Sequence, residues 1–141
     1  MTTANANRSY ELNEDLLAND LPVKATTHLF EGVALGNSSG YAQELADGDE
    51  FLGFAAREAD NSSGASGDID VLVYQKGSIL LTVTGVDSVD DVDKVVYCTG
   101  PNTFSLTDSG SDTAVGKVRR VVDTTLGLAM VRFEALAARS V

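Results

Sequence analysis

The chain contains one histidine, His28, and one cysteine, Cys98, and these side chains are the best suited to general-base or nucleophilic chemistry. Such catalysis needs a nucleophile, a base and a group that orients the base. Both residues lie in predicted strands, where Cys98 reads as a small buried hydrophobe and His28 as a structural residue. The segment Gly64-Ala65-Ser66-Gly67 lacks the Gly-x-Ser-x-Gly spacing of a nucleophile elbow. We therefore expect no enzymatic activity.

A second candidate for chemistry is the acidic cluster formed by Asp87, Asp90, Asp91 and Asp93. A calcium loop places ligands at alternate positions, with a glycine and a terminal glutamate at fixed offsets, and this cluster has a different spacing. One histidine and one cysteine cannot complete a zinc site by themselves. The cluster is interpreted as a solvated turn, with a weak cation site as the alternative, and no cofactor is expected.

The formal net charge of the chain is −11, and it is distributed unevenly. Residues 116–141 carry a balance of +3, so the first 115 residues carry −14. A surface this acidic repels phosphate backbones, which argues against nucleic-acid binding. The basic C-terminal segment is interpreted either as an ordinary solvated face or as a surface that contacts an acidic protein neighbour.

Targeting signals and membrane spans are not expected. The N-terminus is polar and lacks a basic region followed by an apolar one, so a secretory signal is not predicted. The longest uncharged apolar run, from Leu126 to Val131, is far too short to cross a bilayer. We expect a protein made in the cytoplasm that does not bind membranes.

Residues 1–24 differ in composition from the rest and are predicted to form an N-terminal arm. Its apolar residues stand apart in a polar background, and three of them have the spacing of one short amphipathic helix that Asn13 could cap. The segment is too sparse in apolar residues to build a core, so it is either a disordered tail or an arm that orders on a partner. These apolar residues are Tyr10, Leu12, Leu16, Leu17 and Leu21.

Residues 25–134 are predicted to form one β-rich domain, followed by a tail at 135–141. Eight or nine short strands are separated by turns rich in Gly, Asn and Ser, a pattern typical of a small barrel or sandwich. Two hairpins are predicted, one turning at residues 75–77 and one at Thr124-Thr125. Gly53 inside an apolar strand predicts a bulge or a close backbone approach, and Asp87 or Ser88 is expected to cap one helical turn.

The order of these segments resembles that of the capsid decoration, or cement, proteins of tailed bacteriophages. The resemblance implies an all-β, small barrel or sandwich domain of β-tulip-like form on the outer surface of an assembled phage head. It further implies contact with the major capsid protein, self-association as a trimer or dimer, and no enzymatic activity. The segments that carry it are Leu29–Leu35, Gly40–Ala42, Gly48–Ala55, Asp60–Gly64, Val71–Gly77, Val92–Tyr97, Thr103–Thr107 and Val115–Val122.

On this hypothesis the chain is a structural virion protein that cements neighbouring capsid subunits and stabilises the head. An arm that spans subunits adds contact area at an ordering cost, so the apolar arm residues are the first candidates for capsid contact. The alternatives are a glycan- or receptor-binding module at the virion surface and a small hydrolase. The candidate contacts are Tyr10, Leu12, Leu16, Leu17, Leu21, Arg119 and Arg120.

Overall fold

The computed structural model describes residues 17–135, which are almost entirely β structure. Each short apolar run is long enough for a strand and too short for a packed helix. The all-β prediction is confirmed, with eleven strands in this part of the chain. The strands are β1 (Leu17–Pro22), β2 (Thr27–Leu29), β3 (Ala34–Ser38), β4 (Tyr41–Glu44), β5 (Phe51–Ala55), β6 (Ala59–Asn61), β7 (Asp70–Thr84), β8 (Val95–Gly100), β9 (Thr103–Ser105), β10 (Thr113–Asp123) and β11 (Leu128–Glu134), with one 3₁₀ turn at Val89–Asp91.

Five strands close into a small barrel. β7 pairs with β11, β11 with β10, β10 with β8 and β8 with β9, all antiparallel, and β9 returns to β7 as a parallel neighbour. The hairpin predicted across Thr124-Thr125 is confirmed as β10–β11. Closure gives each of the five strands a partner on both sides, which protects their edges.

A second group of strands flanks the barrel. The first half of β7 pairs with β1 and β5, and the sheet continues from β5 through β3 to β4. A parallel bridge joins Val23 to Ala42, and the Lys24 N–H donates to the Ala42 carbonyl at 3.0 Å. The flanking sheet therefore curls back toward β1, while β2 and β6 form a separate two-stranded sheet.

The hairpin predicted to turn at residues 75–77 is wrong, because β7 runs unbroken from Asp70 to Thr84. Gln75 lies inside the strand with its side chain buried, and its amide donates to the Leu52 carbonyl at 3.4 Å. Two distant segments pair along β7 on either side of Lys76: β1 toward Asp70 and β11 toward Thr82. These long-range pairings override the local turn signal of the Lys-Gly dipeptide.

The buried residues form two hydrophobic clusters, and β7 contributes to both. Side chains from its second half join β8, β9, β10, β11 and β5 in the barrel core, where Phe51, Phe54, Phe104 and Phe133 meet. Side chains from its first half join the flanking strands in a second cluster, the flank core. The largest fully buried members of the flank core are Val23, Leu29, Leu35, Val71 and Val73.

The N-terminal boundary differs from the prediction. Residues 17–22, assigned from the sequence to the arm and partly to a helix, form β1 and pair with residues 70–76 of β7. Asn19 and Asp20 are poor helix formers, and the edge of β7 offers backbone partners that a short isolated helix does not have. The β-rich body thus begins at Leu17, eight residues before the predicted boundary at 25; residues 1–16 and 136–141 lie outside the described part.

The expectation of a close backbone approach at Gly53 is confirmed. Its φ is +126°, and a Cβ at this position would collide with the carbonyl oxygen of Tyr74 on the neighbouring strand. Only glycine adopts this conformation at such a short inter-strand distance without strain. In the described residues, no helix is long and apolar enough to cross a membrane.

Candidate interaction face

His28 lies on β2 at the protein surface, where its ring is engaged by carboxylates. Nε2 is 2.6 Å from Glu58 Oε2, Nδ1 is 3.9 Å from Asp60 Oδ1, and the ring stacks on Phe30 with centroids 4.2 Å apart. The Ser62 hydroxyl and N–H donate to Asp60 and, together with the His28 charge, lower the pKa of that carboxyl. Since Ser62 bonds to Asp60 and not to the imidazole, this group is an ion-pair cluster and not a nucleophile with its base.

Cys98 is a small buried hydrophobe, as predicted. Its Sγ donates to the carbonyl oxygen of Gly100 at 2.6 Å. Burial raises the pKa of the thiol to about 11. The thiol is therefore protonated at neutral pH and is a poor nucleophile.

The acidic cluster at residues 87–93 is organised around one carboxylate. Ser88 caps the 3₁₀ turn, and Asp91 accepts from the N–H groups of Asp87 and Ser88 at 2.9 and 3.1 Å in a capping box. Lys94 Nζ donates to the other oxygen of Asp91 at 2.6 Å. Asp91 is buried, which differs from the fully solvated turn expected. No group of three His, Cys, Asp or Glu residues within 17–135 is arranged to hold a metal ion.

We expect Asp91 to make stability depend on acid. The hydrogen bond from Lys94 and those from the backbone lower the pKa of this carboxyl from 3.8 to about 2. Its contribution is therefore complete above about pH 4 and is lost as the pH falls toward about 2. Melting temperatures of the wild type should fall across this window, and those of Asp91→Asn should start lower and change less. The exposed neighbour Asp90→Asn serves as the control; an equal acid dependence in both variants would contradict this role.

The two arginines nominated from the sequence lie together on the outside of the barrel. The register between β10 and β11 shifts between Val118 and Arg120, so Arg119 is the extra residue of a β-bulge. Val118 remains buried, while Arg119 and Arg120 are both exposed. In a regular strand, consecutive side chains point to opposite faces. The bulge removes this alternation at one step and places both charges on the outer surface.

Two further cations extend the basic surface. Lys117 pairs directly with Arg132 across β10 and β11, and Arg132 pairs in turn with Ser78 on β7. Arg119 Nη1 donates to Ser78 Oγ at 2.9 Å, which holds that guanidinium near Arg132, the partner of Ser78 on β11. Four of the ten lysines and arginines of the chain therefore lie on two adjacent strands.

Apolar side chains accompany these charges. Leu80 on β7 pairs with Met130 on β11, and Met130 pairs with Arg120 on β10, so the three form one row across the barrel. Leu126, 63% exposed, lies in the turn that joins β10 to β11. We call this surface, comprising Leu80, Lys117, Arg119, Arg120, Met130 and Arg132, the β10–β11 face.

A groove of about 730 Å³ opens beside this face. Residues of β8, β10 and β11 line it, together with the segment that precedes β8. Its apolar wall includes Val92, Val95 and Ala114, and its charged rim includes Lys117, Arg119, Arg132, Asp93 and Glu134. An apolar wall below a rim of three cations and two carboxylates suits a partner that carries both aliphatic and charged side chains.

The remaining candidate contacts are distributed differently. Tyr10, Leu12 and Leu16 lie outside the described residues. Leu17 is 43% exposed at the start of β1, whereas Leu21 is partly buried and packs against the flank core. Leu21 therefore holds β1 to the body and offers little surface to a partner.

Sequence reasoning did not single out Lys117, Arg132 or Phe30. The cations could have been found by aligning the outward positions of β10 and β11, since their pairing register decides that they are neighbours. Phe30, 53% exposed beside His28, carries no pattern that marks it. Comparison of the chain with protein-family models, curated proteins and solved structures finds no match.

Proposed function

We propose that the chain is a capsid decoration protein, which binds the outer surface of an assembled phage head and cements neighbouring subunits of the major capsid protein. The observation that supports this most directly is the β10–β11 face. It combines exposed aliphatic side chains with clustered arginines, the composition of a protein-binding surface. The order of segments that resembles the decoration family supports the same proposal.

The charge distribution favours a protein partner with an acidic surface. The cations of β10 and β11 form a basic surface on a chain whose net charge is −11. Complementary charge steers encounter and fixes register, and like charge over the remaining surface suppresses unintended contacts between copies. A self-associated trimer, or a dimer, would present this face several times and gain avidity over a repeating lattice.

The side chains best suited to chemistry are held in structural contacts, which favours binding over catalysis. Cys98 is protonated and buried, His28 bonds to Glu58, and Asp91 bonds to backbone N–H groups and Lys94. Each of these groups would have to break an existing contact before it could react.

The test is binding to capsids assembled from the major capsid protein alone. We expect the wild type to saturate near one copy per capsid subunit, because only a lattice-wide site supplies that many positions. Arg119→Glu/Arg120→Glu should weaken binding about tenfold or more, since it reverses both charges of the bulge. Lys24→Glu/Arg57→Glu is the matched control, with the same change in net charge at two exposed residues in the loops between the flanking strands.

The outcomes separate the alternatives. Equal loss in both double variants would show a general charge effect and remove the β10–β11 face from the proposal. Saturation at a few copies per particle would favour a vertex or fibre component, and absence of binding would overturn the capsid proposal. The number of bound copies per capsid subunit is measured from the intensities of the two bands on a stained gel.

A glycan-binding module at the virion surface is the second candidate, and one observation favours it. The exposed Phe30 stacks on His28 beside the carboxylates of Glu58 and Asp60. An aromatic face next to hydrogen-bond acceptors is the combination that sugar sites use. A low copy number per particle in the binding test would direct attention to this cluster.

A further inference from the structure

A shallow pocket of about 360 Å³ opens between β2 and β4. The parallel bridge between Val23 and Ala42 joins the two chain segments at one end of it. Beyond the bridge, a turn at Ala25 and Thr26 leads into β2, which pairs with β6 and not with β4, so a gap remains between β2 and β4. Its volume lies within the range of small-molecule sites. The residues that line this pocket, which we call the β2–β4 pocket, are Thr26, Thr27, His28, Gln43, Glu44 and Ala46.

The lining of the β2–β4 pocket is rich in hydrogen-bond acceptors. The hydroxyls of Thr26 and Thr27 both donate to the carbonyl oxygen of Ala25, at 2.7 and 3.1 Å. A hydroxyl that has donated its proton keeps its lone pairs, so both oxygens can still accept from a ligand. The exposed carboxylate of Glu44 adds further acceptors. A matching ligand must therefore donate several hydrogen bonds.

The amide of Gln43 supplies a donor in a fixed orientation. Its Oε1 accepts from Lys24 Nζ at 3.2 Å, and its Nε2 donates to Asp49 Oδ2 at 2.9 Å. A side-chain amide has two N–H groups and two acceptor positions, so one of each is left for a ligand. Because these contacts already hold the amide, a ligand does not have to order it on binding. The Lys24 ammonium offsets the charge of Glu44, which favours a neutral ligand.

The backbone of Thr26 is held in a conformation that threonine disfavours. Its φ is +55°, in the left-handed region that glycine and asparagine adopt far more readily than a β-branched residue. The Thr26 N–H donates to the carbonyl oxygen of Gly64 at 3.2 Å, which helps to hold this conformation. Strained residues of this kind cluster at binding and catalytic sites. The presence of threonine at this position of the wall therefore points to a use for its side chain.

We propose that the β2–β4 pocket binds one ring of a neutral sugar. A sugar ring carries several hydroxyl groups that donate and accept, which matches an acceptor-rich lining with one amide donor. His28 also lines the pocket and stacks on Phe30 at 4.2 Å, so the exposed Phe30 ring lies where the next ring of an oligosaccharide would pack. This inference rests on the second candidate function, the glycan-binding module, and gives that module a pocket and a ligand class.

The test is a titration of the isotope-labelled full chain with the neutral disaccharides maltose, cellobiose and lactose, followed by NMR. We expect at least one of them to bind saturably with about millimolar affinity and to shift the amide signals of Thr26, Thr27 and Gln43. Free arginine is the charged comparison. Saturable binding of arginine at the same amides, without sugar binding, would show that the site selects a cation and would overturn the proposal.

Variants of Thr26 separate binding from folding. Thr26→Ala removes the hydroxyl and keeps a side chain on the same left-handed backbone, so the dissociation constant should rise about tenfold. Thr26→Ser keeps the hydroxyl and should bind as the wild type does. The control is Thr125→Ala, which removes an exposed threonine hydroxyl in the turn between β10 and β11. Melting temperatures show that each variant is folded. Equal losses of affinity in Thr26→Ala and Thr26→Ser would contradict a contact through the hydroxyl.

The outcomes distinguish the pocket from the wider proposals. Sugar-induced shifts confined to Phe30 and Glu58 would retain the glycan-binding function and overturn the assignment to the β2–β4 pocket. No saturable binding of any of the disaccharides would overturn both the pocket and the glycan-binding candidate. Neither result would affect the capsid proposal, because that proposal is tested with capsids and concerns the β10–β11 face.

Discussion

Replacing Phe54 with alanine is expected to lower the free energy of unfolding by about 3–5 kcal/mol. Phe54 is 1% exposed and lies at the centre of the barrel core. Its ring centroid is 4.9 Å from that of Phe133, 5.3 Å from Phe51 and 6.0 Å from Phe104. Truncation removes these aromatic contacts and leaves a cavity. The surrounding barrel strands cannot move in to fill it, because each is hydrogen-bonded to a neighbouring strand on both edges. Equilibrium unfolding in urea measures the loss.

Phe30→Ala is the matched control for this prediction. It deletes the same atoms from a ring that lies at the surface on His28. We expect a change within about 0.5 kcal/mol, as for surface substitutions in general. Similar losses in the two variants would mean that Phe54 is not in a closed core and would contradict the described packing.

Gly53→Ala is expected to cost about 3 kcal/mol, from two sources that act together. The φ of +126° is unfavourable for alanine. The added Cβ would also collide with the Tyr74 carbonyl oxygen and lie 2.8 Å from Val73 Cγ1. Relief of this collision would require β5 to move away from β7, so the urea midpoint should fall strongly.

Substitutions at two other glycines measure the backbone strain and the steric collision separately. Gly110 has a φ of +118°, and no described atom lies within 4 Å of its Cβ position, so Gly110→Ala reports conformational strain alone. Gly116 lacks that backbone conformation but its Cβ would meet the Arg132 carbonyl oxygen, so Gly116→Ala reports the collision. We expect the loss at Gly53 to exceed that at Gly110 by about 2 kcal/mol. Equal losses at the two positions would show that β5 and β7 are not in close contact.

Much of the fold could be predicted from local patterns. Short apolar runs and Gly-Asn-Ser turns identified an all-β domain, and the β10–β11 hairpin followed from two strands separated by a short turn. Ser88 was correctly among the expected capping residues. These features depend on residues close together in the sequence, which is where propensity and turn chemistry operate.

The failures concern pairings between distant residues. Gln75-Lys76-Gly77 has the composition of a turn, yet the alternation of buried residues continues through it from Val71 to Val83. The partners that keep this strand extended are β1, which ends at Pro22, and β11, which begins at Leu128, so they lie more than one hundred residues apart in the sequence. No short stretch of sequence around β7 therefore contains either of these partner strands.

The candidate site could be predicted only in part, because local composition can be read from the sequence and the pairing of distant strands cannot. The excess of cations near the C-terminus could be read from composition, which brought Arg119 and Arg120 to attention. Their common orientation could not, because it depends on a bulge in the β10–β11 register. Arg132 joins them only through that pairing.

The continuous strand β7 has a consequence for the fidelity of folding. Side-chain direction alternates along a strand, so a slip of one residue would turn every inward side chain outward. Because β7 belongs to both hydrophobic clusters, one slip would expose Val71 and Val73 of the flank core together with Leu81 and Val83 of the barrel core. Neither half can adopt a wrong register while the other remains correct. The strand therefore sets the register of the barrel core and of the flank core together.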